Sequence, residues 1–158
     1  TEVSKAIEYL IHEKKIPVGG TSAGCAVLSD IIFDAMHDTV VSEEALANPY
    51  DAKVSLSKSF IRIPMMKDII TDQHYSQRKR QGRHVAFLAR MKQDMNIHAK
   101  GIAVDEKTAV CIDSKGDAKV FGTNKAYFIS AASKGPEVCK VLTPLEWNRN
   151  KKALQVFV

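Results

Sequence analysis

The sequence predicts an α/β sheet that gains antiparallel pairs toward its end. Helix-like and strand-like segments alternate in the first two thirds of the chain, and short strands separated by tight turns follow. The 158 residues, 45% hydrophobic and 26% charged, suit a chain that buries one sizeable core and argue against disorder.

Ser4 to Lys15 carries Ala6, Ile7, Leu10 and Ile11 at helical spacing. Ile16-Pro17-Val18 is a short apolar run ending in Gly19-Gly20, read as a strand entering a sharp turn. Ala26, Val27, Leu28, Ile31, Ile32 and Ala35 predict an apolar helix packed on a sheet. His37 to Ser59 is polar, contains Asn48-Pro49 and lacks periodicity, which predicts a loop or lid. Ile61 to Ile70 holds one or two strand-like pieces, and Thr71-Asp72-Gln73-His74 places polar groups where a strand hands over to a helix from Ser76 to Met95. Gly101–Val104 reads as a strand, Asp105-Glu106-Lys107 as a turn and Ala109–Ile112 as a returning strand. The turn Ser114–Asp117 leads to strands at Ala118–Phe121 and Ala126–Ser130, and Leu154–Val158 is a last strand-like run. In such a sheet, sites belong at the strands' carboxyl ends.

Composition excludes several classes. Cys25, Cys111 and Cys139 are odd in number and form no CxxC pair, so neither a complete disulfide framework nor a cysteine zinc cluster is expected; a reducing, cytoplasmic compartment fits, with secretion as the open alternative. No apolar run reaches the roughly 18–20 residues that span a bilayer. The formal charge of +5 includes scattered lysines such as Lys14, Lys15, Lys151 and Lys152, which serve solubility. The chain starts at Thr1 in helix-like sequence and stops in a strand-like run, as expected of the carboxyl-terminal portion of a longer protein, with residues 1–158 as one catalytic domain.

The chemistry concentrates at Gly20-Thr21-Ser22-Ala23-Gly24. In a G-x-S-x-G turn between strand and helix, the serine projects its hydroxyl into the crevice, and glycines remove side-chain clashes at the bend. The Ala23 amide is then the natural oxyanion donor. The bland alternative is a glycine turn in which Ser22 caps the helix. A serine nucleophile needs a histidine in reach and an acid orienting it. His12, His84 and His98 read as surface or packing residues; His74, at a strand end, is best placed, with His37 in the polar loop as second choice. Asp105 and Glu106 both qualify as the acid, but adjacent side chains in extended backbone face opposite ways, so one of them reaches the histidine.

Three blocks follow one another along the chain: Gly20-Thr21-Ser22-Ala23-Gly24, Asp72-Gln73-His74-Tyr75-Ser76-Gln77-Arg78 with Arg80 and Gly82-Arg83, and Gly101 to Ala109. Together, and in this order, they resemble the signature blocks of the cyanophycinases, serine peptidases of family S51. The resemblance implies Ser22 as nucleophile, His74 as base and Glu106 as orienting acid, with Asp105 a neighbour. It also implies that Asp72, Gln73, Arg78, Arg80 and Arg83 shape the substrate site. The implied fold is a three-layer sandwich resembling the class I glutamine-amidotransferase-like, Rossmann-like architecture, here lacking its amino-terminal strands. The implied reaction cleaves peptide or isopeptide bonds at aspartyl residues, releasing β-Asp-Arg dipeptides from cyanophycin. An aspartyl dipeptidase of the same superfamily and a non-catalytic binding module are the rival readings.

Tyr75, Lys79 and His84 depart from the family pattern, and the family's glycine-rich loop with a second oxyanion donor precedes anything in this chain. Thr1 as an amino-terminal nucleophile is the minor alternative. The basic run Gln77 to His84 lacks the interleaved aromatics of a nucleic-acid surface, so Arg80 and Arg83, three apart, are read as carboxylate-binding, with lysine replacements expected to weaken substrate binding without moving the melting temperature. The partners expected are a peptide with aspartyl carboxylates, the missing amino-terminal segment and, as an option, a second copy of the chain; no nucleic acid, membrane, metal or organic cofactor is called for.

Overall fold

The computed structural model describes residues 1–158. In chain order the helices are α1 (Glu2–His12), α2 (Ala23–Ala26), α3 (Ser42–Ala47) and α4 (Gln81–Met95). The strands are β1 (Ile31–Phe33), β2 (Leu56–Lys58), β3 (Ile69–Gln73), β4 (Lys100–Val104), β5 (Thr108–Ile112), β6 (Ala118–Gly122), β7 (Ala126–Ala131) and β8 (Leu154–Phe157). Six of the strands form a mixed sheet in the order β2-β1-β3-β4-β7-β8, and β5 and β6 form a separate hairpin. The chain is thus α/β, compatible with a Rossmann-like sandwich.

Strands β1, β3 and β4 run parallel, with Ile31 opposite Ile70 and Ile70 opposite Gly101. Parallel strands need a crossover, and α4 supplies it between β3 and β4. Central β3 is buried from Ile69 through Asp72, as a strand covered on both faces must be. Beyond this parallel trio the sheet continues antiparallel through β7 and β8, and β2 closes the other edge antiparallel to β1.

The core lies between α4 and the sheet. Phe87, Leu88 and Met91 of α4 are fully buried with Ile31 and Ile70, and Phe33 stacks on Phe87 at 4.9 Å between ring centroids. Burying a side chain of this size stabilises the fold by about 1.5–3 kcal/mol. Gly82 lets α3 lie directly on α4, because a Cβ there would stand 2.7 Å from that of Ser42. Left-handed Asn96 ends the helix.

Several expected elements take other forms. Ile16–Val18 has no strand partner and stays coil, with Ile16 and Val18 half exposed. The helix expected from Ala26 to Ala35 is a single turn, after which Ile31–Phe33 enters the sheet; two isoleucines and a phenylalanine satisfy β1 as well as a helix face. His37 to Ser59 contains α3 and the edge strand β2 rather than a featureless loop. Pro64–Met66 is a 3₁₀ turn. The long helix starts at Gln81 and not at Ser76. Strand β5 does not return along β4: it pairs with β6, while β7 takes the place beside β4.

His84, expected to be a surface or packing residue, is completely buried in α4. Its ring meets Tyr75 edge-on at 5.5 Å and closes over Gly101, where a Cβ would lie 2.5 Å from Nε2. Neither ring nitrogen has a partner in hydrogen-bonding geometry, and burial pulls the imidazole below its ordinary value despite the nearby Asp72. A histidine with a depressed native pKa is protonated in the unfolded chain first, so it costs stability as the pH falls below about 6.5. His84→Leu is therefore expected to lose less melting temperature than the parent between pH 7.5 and pH 5.5; an equal loss in both proteins would show that the His84 ring does not govern acid stability.

Candidate active site

Three carboxyl ends of parallel strands face the same side of the sheet. Asp34 follows β1, His74 follows β3, and Asp105 and Glu106 follow β4. Tyr75 carries the β3 chain past its end by donating its backbone N–H to the Val104 carbonyl at 3.2 Å, which fixes His74 beside the β4 turn.

Ser22 stands on the turn into α2 with φ 51° and ψ −122°, a conformation that costs a non-glycine residue about 1–3 kcal/mol. Gly20 makes the turn possible: a Cβ at that position would lie 2.2 Å from the Gly24 carbonyl oxygen. Gly24 itself faces open space, so only the first of the two motif glycines is sterically required. The Thr21 carbonyl accepts the Gly24 amide at 2.8 Å and the Ser22 carbonyl accepts the Cys25 amide at 2.9 Å, whereas the Ala23 amide donates to no protein group.

The structure brings Ser22, His74 and Glu106 into one hydrogen-bonded chain. Ser22 Oγ is 3.2 Å from His74 Nε2, and His74 Nδ1 is 2.9 Å from Glu106 Oε1. A carboxylate can only accept, so Nδ1 carries the proton toward Glu106 and the Nε2 lone pair faces the serine hydroxyl. Glu106 is held by its backbone, which accepts from Asn124 Nδ2 at 2.8 Å and donates to Gln77 Oε1 at 3.2 Å. Asp105 points the other way, buried, and receives the Ser76 amide at 2.8 Å; it steadies the segment after His74 without touching the imidazole.

The other histidines lie elsewhere. His12 pairs with Glu8, His98 contacts Ser130, and exposed His37 makes no hydrogen bond to Ser22. Burial pushes the Cys25 thiol up, which keeps the nearest sulfur to the serine turn protonated.

Beneath this chain lies a buried ion cluster. Arg83 donates through Nε and Nη2 to the two oxygens of Asp72 at 2.8 and 2.6 Å, and through Nη1 to the Val40 carbonyl at 3.3 Å. Arg80 Nη1 donates to the Gln73 carbonyl at 2.7 Å and to Asp72 at 3.3 Å. Burial, followed by the Arg83 charge beside it, pulls the Arg80 guanidinium down from its ordinary value. Arg83 is 3% exposed and its fork is occupied by Asp72, so a lysine there acts on the fold first, and Arg83→Lys should lower the melting temperature rather than leave it unchanged. Arg80 keeps Nε and Nη2 uncommitted, and Arg78 is exposed without a partner.

Ala23, Gln73, Asp72, Arg80 and Arg83 line one crevice of about 310 Å³, whose lining also includes Phe33 and Asp34. Asp34 is the residue that sequence reasoning missed. It lies inside the segment read as a helix, and its place beside the site follows only from β1 being a strand.

No protein-family model matches the chain. It is similar to the cyanophycinases of Synechococcus elongatus and Thermosynechococcus vestitus, at 28% identity over 118 residues, or 73% of this chain and 31% of each relative. The cyanophycinase of Trichormus variabilis is 26% identical over 122 residues, covering 77% of this chain and 36% of the relative. The chain spans about a third of the length of these relatives. This distant similarity supports a cyanophycinase-like family relationship.

Two expectations follow from the geometry. Gly20→Ala should abolish the serine turn and any activity that depends on it, whereas Gly24→Ala should be tolerated; equal effects would contradict the steric account of the turn. Asp72→Ala leaves two buried guanidinium groups without their carboxylate and should destabilise the fold by about 3–5 kcal/mol in denaturant unfolding, with Arg78→Ala near zero. Comparable stability of the two variants would mean that the ion cluster holds nothing together.

Proposed function

We propose that the chain carries the reactive centre of a serine-type hydrolase that cleaves peptide or isopeptide bonds at aspartyl residues, with cyanophycin as its substrate class. The observation carrying this reading is the unbroken chain from Ser22 Oγ through the His74 ring to Glu106, on a turn with a strained serine followed by the Ala23 amide, which donates to no protein group. The similarity to cyanophycinases supports the hydrolase class and its peptide substrate. A class I glutamine-amidotransferase-like sheet and assignment to peptidase family S51 belong to the same proposal. The relatives' greater length leaves room for a second oxyanion donor and further strands outside residues 1–158.

The roles follow from the atoms. Ser22 Oγ attacks the scissile carbonyl carbon while its proton passes to His74 Nε2; Glu106 stabilises the resulting imidazolium, and the Ala23 amide donates to the developing oxyanion. Collapse of the tetrahedral adduct breaks the C–N bond, and His74 returns the proton to the leaving amine. Water, deprotonated by the same imidazole, then releases the acid from Ser22. The aspartyl carboxylate of the substrate is assigned to the uncommitted donors of Arg80, with exposed Arg78 and Gln73 at the rim. Asp72 shapes the site by holding Arg80, and Arg83 by fixing Asp72, rather than by touching substrate.

Ser22→Ala should lower turnover of cyanophycin by about 10⁴- to 10⁶-fold with the fold intact, since members of such a unit act together. Activity surviving in Ser22→Ala but lost in His37→Ala or Thr1→Ala would overturn the assignment. Comparing insoluble cyanophycin with free aspartyl dipeptides decides the substrate: preference for the dipeptides makes the protein an aspartyl dipeptidase, and inertness toward both makes it a binding module.

A further inference from the structure

None of the usual restraints holds Glu106 in place. It follows the last register pair of β4, Val104 opposite Ala126, and β5 turns away to pair with β6, so no strand ladder reaches it. Its side chain is 47% exposed, which leaves burial little hold on it, and His74 is its only partner by hydrogen bond or charge. The carboxylate therefore goes where its backbone puts it.

Two side-chain amides hold that backbone. Gln77 Oε1 accepts the Glu106 amide at 3.2 Å, and Asn124 Nδ2 donates to the Glu106 carbonyl at 2.8 Å, so this residue's main-chain groups are met by side chains. Thr108 Oγ1 adds a longer contact to the same carbonyl at 3.4 Å. Each partner dictates which way the amide points: an N–H requires the oxygen of Gln77, and a carbonyl requires the nitrogen of Asn124. Both amides are themselves anchored. Gln77 belongs to the segment that follows His74, so it ties the acid to the stretch of chain that carries the base. Asn124 lies in the connection from β6 to β7, where its own backbone amide donates to Thr108 Oγ1 at 3.2 Å. On either side of it the Thr123 amide donates to the Lys107 carbonyl at 3.1 Å, and the Lys125 carbonyl accepts the Asp105 amide at 3.0 Å. This connection wraps the turn that bears Glu106 so closely that a Cβ at Gly122 would collide with the Lys107 carbonyl.

We propose that Asn124 and Gln77 are positioning residues, which clamp the Glu106 backbone from opposite sides and so keep its carboxylate on His74 Nδ1. The catalytic consequence rests on the proposed function; the clamp itself rests on these contacts alone. Its effect is on the tautomer. A neutral imidazole in water favours the proton on Nε2, the nitrogen that here faces Ser22, and in that form it has no lone pair for the serine hydroxyl. Glu106 at Nδ1 reverses the preference only while its backbone stays in place.

Nitrogen-15 NMR of the whole protein with labelled histidine reads the His74 tautomer without substrate, at a pH where imidazole is neutral, and a His74→Gln sample identifies the signals. The parent should hold the proton on Nδ1. Asn124→Asp is isosteric but sets a carboxylate oxygen against the Glu106 carbonyl, so the ratio of Nδ1–H to Nε2–H should fall about tenfold or more, the scale of a lost hydrogen bond to a charged group. Gln77→Ala, which removes the acceptor on the other side, should move the ratio the same way. Thr123→Asp adds the same charge one residue away with the donor intact and should leave it unchanged. With cyanophycin as substrate, Asn124→Asp should lower kcat by about tenfold to a hundredfold at unchanged KM, as a small misplacement of a reacting group does. If Asn124→Asp shows no melting transition, Asn124→Ala takes its place with the same expectations. The parent ratio retained in either clamp variant, an equal shift in Thr123→Asp, or a parent with its proton on Nε2 overturns the clamp. A tautomer shift with kcat unchanged, or a loss confined to KM, overturns the role in the reaction. A shift in both clamp variants without hydrolysis by the parent keeps the clamp and overturns the hydrolase, whereas hydrolysis with tautomer and kcat both unchanged does the reverse.

Discussion

The buried contact between Asp72 and Arg83 is the constraint on which the site depends. Asp72 is the fourth residue of the central strand and Arg83 lies in the first turn of the crossover helix, so their two-point contact sets how the helix sits on the sheet. A two-point contact between planar groups fixes orientation as well as distance. Arg83 also reaches the Val40 carbonyl, which ties in the chain leading to α3. Arg80 grips the Gln73 carbonyl from the same cluster, and the next residue is His74. The imidazole is therefore positioned from below by charge and from the side by the Tyr75 amide on Val104.

Desolvation explains why this cluster has three members. One carboxylate and one guanidinium in a core nearly cancel, and the energy of such a pair is small or unfavourable against an apolar replacement. Adding Arg80 leaves a positive charge that only a ligand or solvent can answer, and the depressed guanidinium reflects that cost. Asp34, in the lining of the same crevice, accepts from the Met36 amide and the Ser55 hydroxyl.

Much of the site was legible from the sequence because its parts are local. The G-x-S-x-G turn is five consecutive residues, and the clash at Gly20 that enforces it involves only Gly24 and Cys25. His74 lies directly after a strand that its neighbours announce, whereas Asp105 and Glu106 stayed open as the acid until the turn after β4 sent Glu106 to His74 and Asp105 to the Ser76 amide. The placing of β5 was not legible, because a strand with alternating exposure pairs as readily with β6 as with β4, and what decides is that β7 covers β4 with the more buried face. Ile31–Phe33 was likewise ambiguous: three apolar residues carry no period, and only the vacancy beside Ile70 in the sheet makes them a strand.

The sequence by itself determined the α/β class and the form of the serine turn, since each is written in residues close enough to constrain one another through the backbone; His74 and Glu106 lie 52 and 32 residues further along successive steps of the chain, and the residues alone left Asp105 and Glu106 both open as the acid. The tertiary structure alone decided what the arginines do. Carboxylate binding was readable from their type and spacing, but the carboxylate that Arg83 binds is Asp72, eleven residues earlier, brought under it by the fold of helix on strand. It decided Asp34 in the same way, because a side chain becomes part of a crevice only when parallel strands end level with one another, and that alignment depends on which strands pair in the sheet, not on the residues beside it in the chain.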